Sequence, residues 1–296
     1  MAYKCVVLVK QVPDTANVGT RTMKEDGTVD RAALPAIFNP EDLNALEMAL
    51  QVREQYGGQV TVLTMGPPRA TEVLREALYR GAERVILLTD RQFAGSDTLA
   101  TSYVLQCAVE RIGECDLVFC GRQAIDGDTA QVGPQVAEKL GLPQITYAES
   151  ILTLNRDEIV VRRVFPLGQE TVKSPLPCLL TVVGSANQPR PPSARRMLAY
   201  KLAAIPSEYP ALLQRWPEFK TEEALDRYLV ERDARIPVWS AADVDADPDR
   251  LGLSGSPTKV SRIDHVVLGG GESRTVPANP EGIAALIREL VQDYVV

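Results

Sequence analysis

The feature that most constrains the fold is a regular alternation between short apolar runs and longer segments of helical periodicity. The apolar runs contain few polar residues, which is typical of strands that helices cover on both faces. They are CVVLV (5–9), VTVLTM (60–65), RVILLT (84–89), DLVFCG (116–121) and CLLTVV (178–183). Their alternation with helices predicts an α/β fold with a doubly wound, mostly parallel sheet and right-handed crossovers.

The segments between these runs carry start and stop signals of helices. After the first run, Asn39 can cap a helix, Pro40 suits its first turn and Gly57 can end it. The segment PPRATEVLREALYRGA predicts a second helix that stops at Gly81. The segment SDTLATSYVLQCAVERIG predicts a third, with Ser96 as its cap.

The character of the chain changes after Gly184. We expect residues 1–184 to form the α/β domain and residues 185–296 to form a linker and a C-terminal arm. This last third contains Pro-rich chain, short helical segments, Gly/Ser loops and a terminal amphipathic helix that begins near Asn279 or Pro280. Because it has few strand-like runs, we expect it to lean on the main sheet or on another protein.

Composition argues against several classes of function. A net charge of −7 and a pI near 5.0 argue against a nucleic-acid partner, which requires concentrated Lys and Arg. Five scattered cysteines without a C-x-x-C pair, and one histidine, argue against a zinc or iron–sulfur site, so His265 is predicted to be structural. No apolar run reaches the roughly 20 residues of a membrane span and no signal peptide is recognised, so we expect a cytoplasmic protein.

The most informative loop lies in CGRQAIDGDTAQVGPQVAEKLGLP (120–143), between the fourth apolar run and a predicted helix. Ligands of open parallel sheets bind beyond the carboxyl ends of the strands, where this loop begins. Three interpretations stay open: Asp128 or Thr129 caps the helix, Asp126 and Asp128 hold Mg²⁺, or backbone N–H groups hold a phosphate. The Mg²⁺ site would need more oxygen ligands, and neither a P-loop nor a G-x-G-x-x-G phosphate fingerprint is present. Lys10, after the first run, is either a surface charge or a phosphate contact.

Five motifs, in this order and spacing, resemble the beta subunit of electron transfer flavoprotein. They are VKQVPDT (9–15), NPEDLNALEMAL (39–50), ALYRGAERVILLTD (77–90), AGSDTLATSY (94–103) and CGRQAIDGDTAQVGPQVAEKLGLPQITY (120–147). The resemblance extends from residue 3 to about residue 200 and resumes at LGLSGSPTKV (251–260). It implies a Rossmann-like fold of the adenine nucleotide alpha hydrolase-like type. It also implies a heterodimer with an alpha subunit, whose flavin exchanges electrons with an acyl-CoA dehydrogenase or a similar flavoenzyme.

The resemblance further implies which positions contact an adenine nucleotide, all of them at strand ends or helix starts. The implied residues are Leu8, Val9, Lys10, Asn39, Asp42, Thr64, Met65, Gly66, Gly121, Arg122, Gln123, Ala124, Gly127, Asp128, Thr129, Ala130, Gln131 and Val132. The loop from Gly121 to Val132 would enclose the phosphates through its backbone and Thr129. Lys10, Arg122 and Gln123 would tune a flavin by charge and hydrogen bonds.

Members of this family differ in the nucleotide that they hold. Simple electron carriers bind AMP, whereas electron-bifurcating members hold a second FAD that NADH reduces. The form GDTAQVGP is similar to that of the bifurcating group, and Gly127, Thr129 and Ala130 are small enough to let a diphosphate and a flavin pass. We therefore expect FAD, with AMP as the alternative, NADH as the electron donor, and ferredoxin or flavodoxin as a further acceptor. The third alternative, a nucleotide hydrolase or ATP-sensing module, would carry an S-G-G-x-D-S loop that KQVPDT lacks.

Two segments depart from the family pattern. Phe165, Pro166 and Leu167 replace an acidic Gly-Gly turn of a predicted hairpin, which Gly168 still permits. Residues 205–240 are longer than is common in the family. A docking surface for the alpha subunit or a dehydrogenase, and a neutral surface excursion, both stay open for that segment.

Overall fold

A computed structural model describes residues 2–14, 35–259 and 275–292, and within these ranges nine strands form one sheet. The strands of this sheet are β1 (Tyr3–Leu8), β4 (Gly58–Met65), β5 (Arg84–Leu88), β6 (Leu117–Gly121), β7 (Gln144–Leu154), β8 (Glu158–Phe165), β9 (Gly168–Pro175), β10 (Cys178–Val182) and β11 (Val238–Trp239). Strands β2 (Gln11–Pro13) and β3 (Ala36–Phe38) pair separately as a short antiparallel ribbon.

The sheet has the order β11-β5-β4-β1-β6-β10-β7-β8-β9. Strands from β11 to β7 pair in parallel, and β8 and β9 extend the β7 edge in antiparallel register. The chain adds β4 and β5 on one side of β1 and later places β6 on its other side. The strand order therefore reverses between β1 and β6, as in a doubly wound sheet, and the predicted fold class is confirmed.

Helices cover both faces of the sheet. The described helices are α1 (Pro40–Tyr56), α2 (Thr71–Arg80), α3 (Thr98–Ile112), α4 (Val132–Leu140), α5 (Ala194–Tyr200), α6 (Tyr209–Arg215), α7 (Glu222–Val230) and α8 (Pro280–Gln292). Val7 of β1 packs in a cluster with Leu46 and Leu50 of α1, whereas Val6 packs in a second cluster with Val104 of α3. Alternate residues of one strand thus enter two different cores, which explains the continuous apolar runs. None of the described helices is long and apolar enough to cross a membrane.

The predicted helix ends are confirmed at two positions and one predicted start is wrong. Gly57 and Gly81 follow α1 and α2 with φ of +79° and +136°, which a residue with a Cβ adopts only under strain. The cap of α3 is Asp97, whose carboxylate accepts hydrogen bonds from the N–H groups of Leu99 and Ala100. Ser96 instead donates its hydroxyl to a carbonyl of the preceding turn, so it is not the cap.

All five predicted strands are confirmed, but β7 lies outside the predicted set. Its sequence, QITYAESILTL, has no continuous apolar run. The burial of its residues is irregular, and β8 pairs with only part of the strand. Tyr147 has a φ of +58° where the register between β7 and β10 shifts. The predicted hairpin forms between β8 and β9, with Gly168 at a φ of +156° and Leu167 almost fully exposed at its tip.

Part of the chain beyond Gly184 shares the core of the main sheet. Ile205, Leu225, Leu229 and Ile236 are buried in the same cluster as the residues of α1 and α2. Strand β11 adds to the edge of the sheet beside β5. By contrast, the apolar side chains of α8 are exposed, and the predicted division at residue 184 stays a prediction.

Arg190 fastens the chain after β10 to α1. Its guanidinium donates a hydrogen bond of 2.8 Å to the buried carboxylate of Glu47 and also contacts Glu54. These carboxylates raise the pKa of Arg190. The Glu47 carboxylate also accepts from the backbone N–H of Arg190, at 3.1 Å. The pairing therefore satisfies a buried charge that α1 would otherwise leave without a cation.

We expect Arg190→Ala to lower the free energy of unfolding by about 1–3 kcal/mol, because Glu47 loses its cation while it stays buried. Chemical denaturation measures this change. Lys173→Ala is the matched control, since Lys173 pairs with Glu158 on the exposed face of the hairpin, and its cost should stay within about 0.5 kcal/mol. Equal losses in the two variants would contradict the structural role of Arg190.

Candidate nucleotide-binding site

The candidate site lies where the strand order reverses. The pairing of β1 with β6 ends at Leu8 and Cys120, and the two chains then leave toward opposite faces of the sheet. Such a divergence opens a crevice at the carboxyl ends of the strands. Residues 9–10 and the loop of residues 121–131, which we call the phosphate loop, line this position.

Asp42 bridges the two diverging strand ends. Its Oδ2 accepts a hydrogen bond of 2.8 Å from the backbone N–H of Lys10, and its Oδ1 accepts one of 2.9 Å from Gly121. Burial raises the pKa of Asp42 from 3.8 to about 7, and it outweighs these hydrogen bonds, which lower the pKa. Because the pKa is raised in the folded chain, the contribution of Asp42 to stability is greatest at low pH and declines as the pH rises to about 7.

Gly121 has no alternative at the start of the loop. A Cβ at this position would lie 2.5 Å from Oδ1 of Asp42 and 2.8 Å from the backbone nitrogen of the same residue. Any larger residue would push α1 away from β6. The absence of a side chain at Gly121 is therefore what lets Asp42 reach the strand end.

Asn39 holds the phosphate loop rather than the helix. Its Nδ2 donates to the carbonyl of Gln123 at 2.9 Å, and its Oδ1 accepts from the N–H of Ile125 at 3.2 Å. Its side chain makes no capping hydrogen bond to the backbone of α1, although a hydrogen bond joins it to the side chain of Asp42. Asn39 therefore occupies the predicted N-cap position, but its side chain does not cap α1, because both ends of the amide are engaged by the backbone of the loop.

Glu41 fixes the charge of Arg122 at the end of β6. Its Oε1 lies 3.0 Å from a guanidinium nitrogen of Arg122, and its Oε2 accepts from the N–H of Gln123 at 3.1 Å. The guanidinium carbon of Arg122 also lies 5.7 Å from the centre of the Tyr147 ring. A positive charge with two partners keeps one position at the crevice.

The acidic side chains of the phosphate loop are engaged with neighbours. The ammonium of Lys10 lies 2.7 Å from both carboxylate oxygens of Asp126, and Gln123 donates to Asp128 at 2.9 Å. In the part of the chain that the structure describes, no group of three or more His, Cys, Asp or Glu side chains could hold a metal ion. The carbonyl of Ala124 accepts from the N–H of Asp128, which closes the turn.

The second half of the phosphate loop leaves its backbone donors without acceptors. Asp128 and Ala130 have φ of +49° and +52°, and α4 begins only at Val132, with Gln131 in the capping position. Among the described residues, none accepts a hydrogen bond from the N–H groups of Thr129, Ala130, Gln131, Val132 and Gly133. The predicted capping by Asp128 or Thr129 is wrong, since left-handed residues separate both side chains from the start of the helix.

This arrangement suits an anion. Successive N–H groups in a turn with left-handed residues form a concave set of donors, and the start of α4 adds the positive end of the helix dipole. The ammonium of Lys10 offsets the charge of Asp126, and the amide of Gln123 donates a hydrogen bond to Asp128. A phosphate therefore fits the donors that the loop presents.

The remaining predicted contact residues lie at the ends of β1 and β4. The side chains of Leu8 and Val9 are buried in the two cores, and the buried hydroxyl of Thr64 donates to the carbonyl of Val9 at 2.7 Å. Gly66 donates its N–H to β5. Within the described ranges, no hydrogen bond joins Thr64, Met65 or Gly66 to the phosphate loop.

Two residues that hold the loop lie outside the predicted set. Glu41 binds its first half, as described above, and Thr98 binds its second half, with its hydroxyl 2.9 Å from Oε1 of Gln131. The start of α3 lies at the same carboxyl edge of the sheet as the phosphate loop. That shared edge is the signal that could have identified Thr98 from the sequence.

Comparison with known proteins identifies the family. The profile described as the electron transfer flavoprotein domain matches residues 26–206, which is more than half of the chain. The chain belongs to the electron transfer flavoprotein family. It is 40% identical over 290 residues to electron transfer flavoprotein subunit beta of Clostridium acetobutylicum, with 98% of each chain covered.

Two further relatives match this beta-type subunit along nearly its whole length. The caffeyl-CoA reductase-Etf complex subunit CarD of Acetobacterium woodii is 38% identical over 295 residues, which cover 99% of this chain and 100% of the relative. The acryloyl-CoA reductase electron transfer subunit gamma of Anaerotignum propionicum is 37% identical over 294 residues, or 98% of each chain. These matches identify the chain as an electron transfer flavoprotein beta subunit. Its role is in electron transfer, beside an alpha subunit.

We expect Asn39→Ala to loosen the phosphate loop, because the half-buried carbonyl of Gln123 and N–H of Ile125 lose their partners. Amide hydrogen exchange of peptides from residues 121–131 should accelerate about tenfold or more. Asn155→Ala is the matched control, since Asn155 holds the turn between β7 and β8 through the N–H groups of Asp157 and Glu158. Unchanged exchange in the Asn39 variant would contradict the tether.

Proposed function

We propose that this beta subunit holds FAD at the phosphate loop and takes part in electron bifurcation, with NADH as the electron donor. The observation that carries the proposal is the run of five N–H groups, Thr129 to Gly133, without acceptors in the described chain at the point where the strand order reverses. A flavin dinucleotide brings two phosphates to such donors. The position is the one at which open parallel sheets bind nucleotides.

The residues of the phosphate loop fit a group larger than a single phosphate. Apart from Gly127 and its two neighbours in the chain, no described residue has an atom within 4 Å of a Cβ built at Gly127, and Thr129 is exposed. The N–H groups of residues 129–133 would hold the phosphates, and Thr129 could add its hydroxyl. When bound, FAD would supply the acceptance of two electrons and their release one at a time, which side chains do not provide.

The chain's own part is to place fixed charges beside the nucleotide. Arg122 is held by Glu41 and by the ring of Tyr147, and Lys10 is held by Asp126. Fixed charges and dipoles of this kind set the electrostatic potential that a bound cofactor would experience. We propose that Lys10 and Arg122 tune the flavin by charge and that Gln123 does so by hydrogen bonding.

The partners that we propose follow from the relatives and from the surface. The relatives from Acetobacterium woodii and Anaerotignum propionicum carry the names of caffeyl-CoA and acryloyl-CoA reductases, which supports an acyl-CoA dehydrogenase-type flavoenzyme as a partner. Residues 185–296 would include the arm that contacts the alpha subunit, since Ile283, Ile287 and Val291 of α8 are exposed. Ferredoxin or flavodoxin would accept the low-potential electron, and the complex would be cytoplasmic.

We expect the chain to co-purify with its alpha subunit and the complex to carry two FAD molecules per heterodimer. Denaturation followed by chromatography identifies and counts the released nucleotides. One FAD together with one AMP would support a simple carrier and overturn the bifurcating function. If the two subunits did not co-purify, the expected pairing with an alpha subunit would be wrong.

We expect Thr129→Glu to weaken FAD binding about tenfold or more, because a carboxylate beside the N–H groups repels the phosphates. Thr129→Gln places at this exposed position a neutral side chain of nearly the same size as glutamate. This variant should bind FAD nearly as the parent chain does. Titration of the full-length chain with FAD measures both. Equal affinities of the two variants would locate the phosphates elsewhere.

A further inference from the structure

The ends of β1 and β6 share one buried carboxylate. Beyond the last paired residues of the two strands, the N–H of Lys10 and the N–H of Gly121 both point to Asp42, at 2.8 and 2.9 Å. Each N–H uses a different oxygen of the carboxylate. The distance between the two strand exits is therefore set by a side chain of α1 and not by strand pairing.

Both exits lead directly into the candidate site. Gly121 is the first residue of the phosphate loop, and the side chain of Lys10 reaches the Asp126 carboxylate within that loop. Asp42 offers little surface to a ligand, because only 6% of it is accessible and both carboxylate oxygens accept hydrogen bonds from the backbone. Its influence on a nucleotide must therefore pass through the backbone that it holds.

We infer that Asp42 is a positioning residue that sets the geometry of the phosphate loop, and that its ionised form is the one that binds nucleotide tightly. This inference rests on the proposed nucleotide binding. Only the carboxylate offers a full acceptor to each of the two N–H groups. A proton on Asp42 turns one oxygen into a donor that faces an N–H group, so one strand exit loses its anchor.

The groups around Asp42 determine how a pH response is assigned. Lys10 acts on Asp42 electrostatically, a hydrogen bond joins it to the side chain of Asn39, and the buried thiol of Cys120 lies beside it on β6. Glu41 on α1 and Arg122 and Asp126 in the phosphate loop are the charged side chains of the neighbouring elements. All of them are kept when Asp42 is replaced by Asn. A pH response that one of these groups causes would therefore persist in that variant.

The amino ends of the same two strands offer a matched control. Asp116 precedes β6, and its carboxylate accepts a hydrogen bond of 2.6 Å from the N–H of Lys4 at the start of β1. Asp116→Asn thus disturbs the same two strands at their amino ends, far from the phosphate loop. Both substitutions remove a carboxylate that accepts a hydrogen bond from a strand N–H, and only Asp42→Asn should change nucleotide binding.

The experiment titrates the full-length chain with FAD at several pH values. We expect Asp42→Asn to raise the Kd for FAD about tenfold at about pH 8, and Asp116→Asn to leave it within about twofold. As the pH falls to about 6, the Kd of the parent chain should rise toward that of Asp42→Asn, whose own Kd stays constant. FAD is the probe because its diphosphate does not titrate in this range, whereas the phosphate of AMP does.

Gly121→Ala provides a second variant should Asp42→Asn fail to fold. Its Cβ would displace the carboxylate of Asp42 from the strand end and should raise the Kd for FAD in the same way. A parent chain that binds neither FAD nor AMP overturns the proposed function and this inference with it. A parent chain that binds FAD, with Asp42→Asn and Gly121→Ala binding equally well or Asp42→Asn keeping the pH response, overturns this inference alone.

Discussion

The hydrogen bonds from the ends of β1 and β6 to Asp42 are the interaction on which the site depends. Where two parallel strands part, their next N–H groups lose the partners that the sheet provides, and a buried donor without an acceptor is costly. Asp42, in the first turn of α1, supplies the missing acceptors. Asn39 and Glu41 likewise accept hydrogen bonds from N–H groups of the loop. The polar residues at the start of this helix thus support backbone elsewhere in the chain.

This use of α1 leaves the ligand to α4. The acceptors of the α1 first turn are directed at residues 121–125, whereas the turn before α4 presents donors without acceptors in the described residues. The crevice is therefore asymmetric, with one helix start holding the protein and the other open to an anion. A doubly wound sheet makes this division possible because it brings both helix starts to one edge.

The sequence predicted the five adjacent strands β5, β4, β1, β6 and β10 well because they are largely buried on both faces and appear as apolar runs. Strand β7 was not predicted because its burial is irregular. In addition, Tyr147 adopts a left-handed conformation that no local sequence pattern indicates. The predicted side-chain capping hydrogen bonds do not form, for a different reason. The side chains of Ser96, Asn39 and Asp128 each had a second partner, at a distance in sequence or in an adjoining turn, and local propensity does not reveal which partner is chosen.

The predicted site residues illustrate the same limit. Their position at strand ends and helix starts follows from the topology, so the sequence could place the phosphate loop at the edge of the sheet. Whether a residue faces the ligand or holds the loop depends on hydrogen bonds between segments far apart. Glu41 and Arg122, for example, belong to elements that only the folded sheet brings together.

The link between Asp42 and Gly121 spans 79 residues of chain, and it has a consequence for how the protein is made. The phosphate loop cannot take its shape until β6 has been synthesised and has joined the sheet beside β1, because its anchors lie on α1. Contacts of such long separation form late and slowly. A nucleotide that binds only the finished loop would then draw the chain toward its completed form by mass action, which makes the supply of cofactor a part of folding.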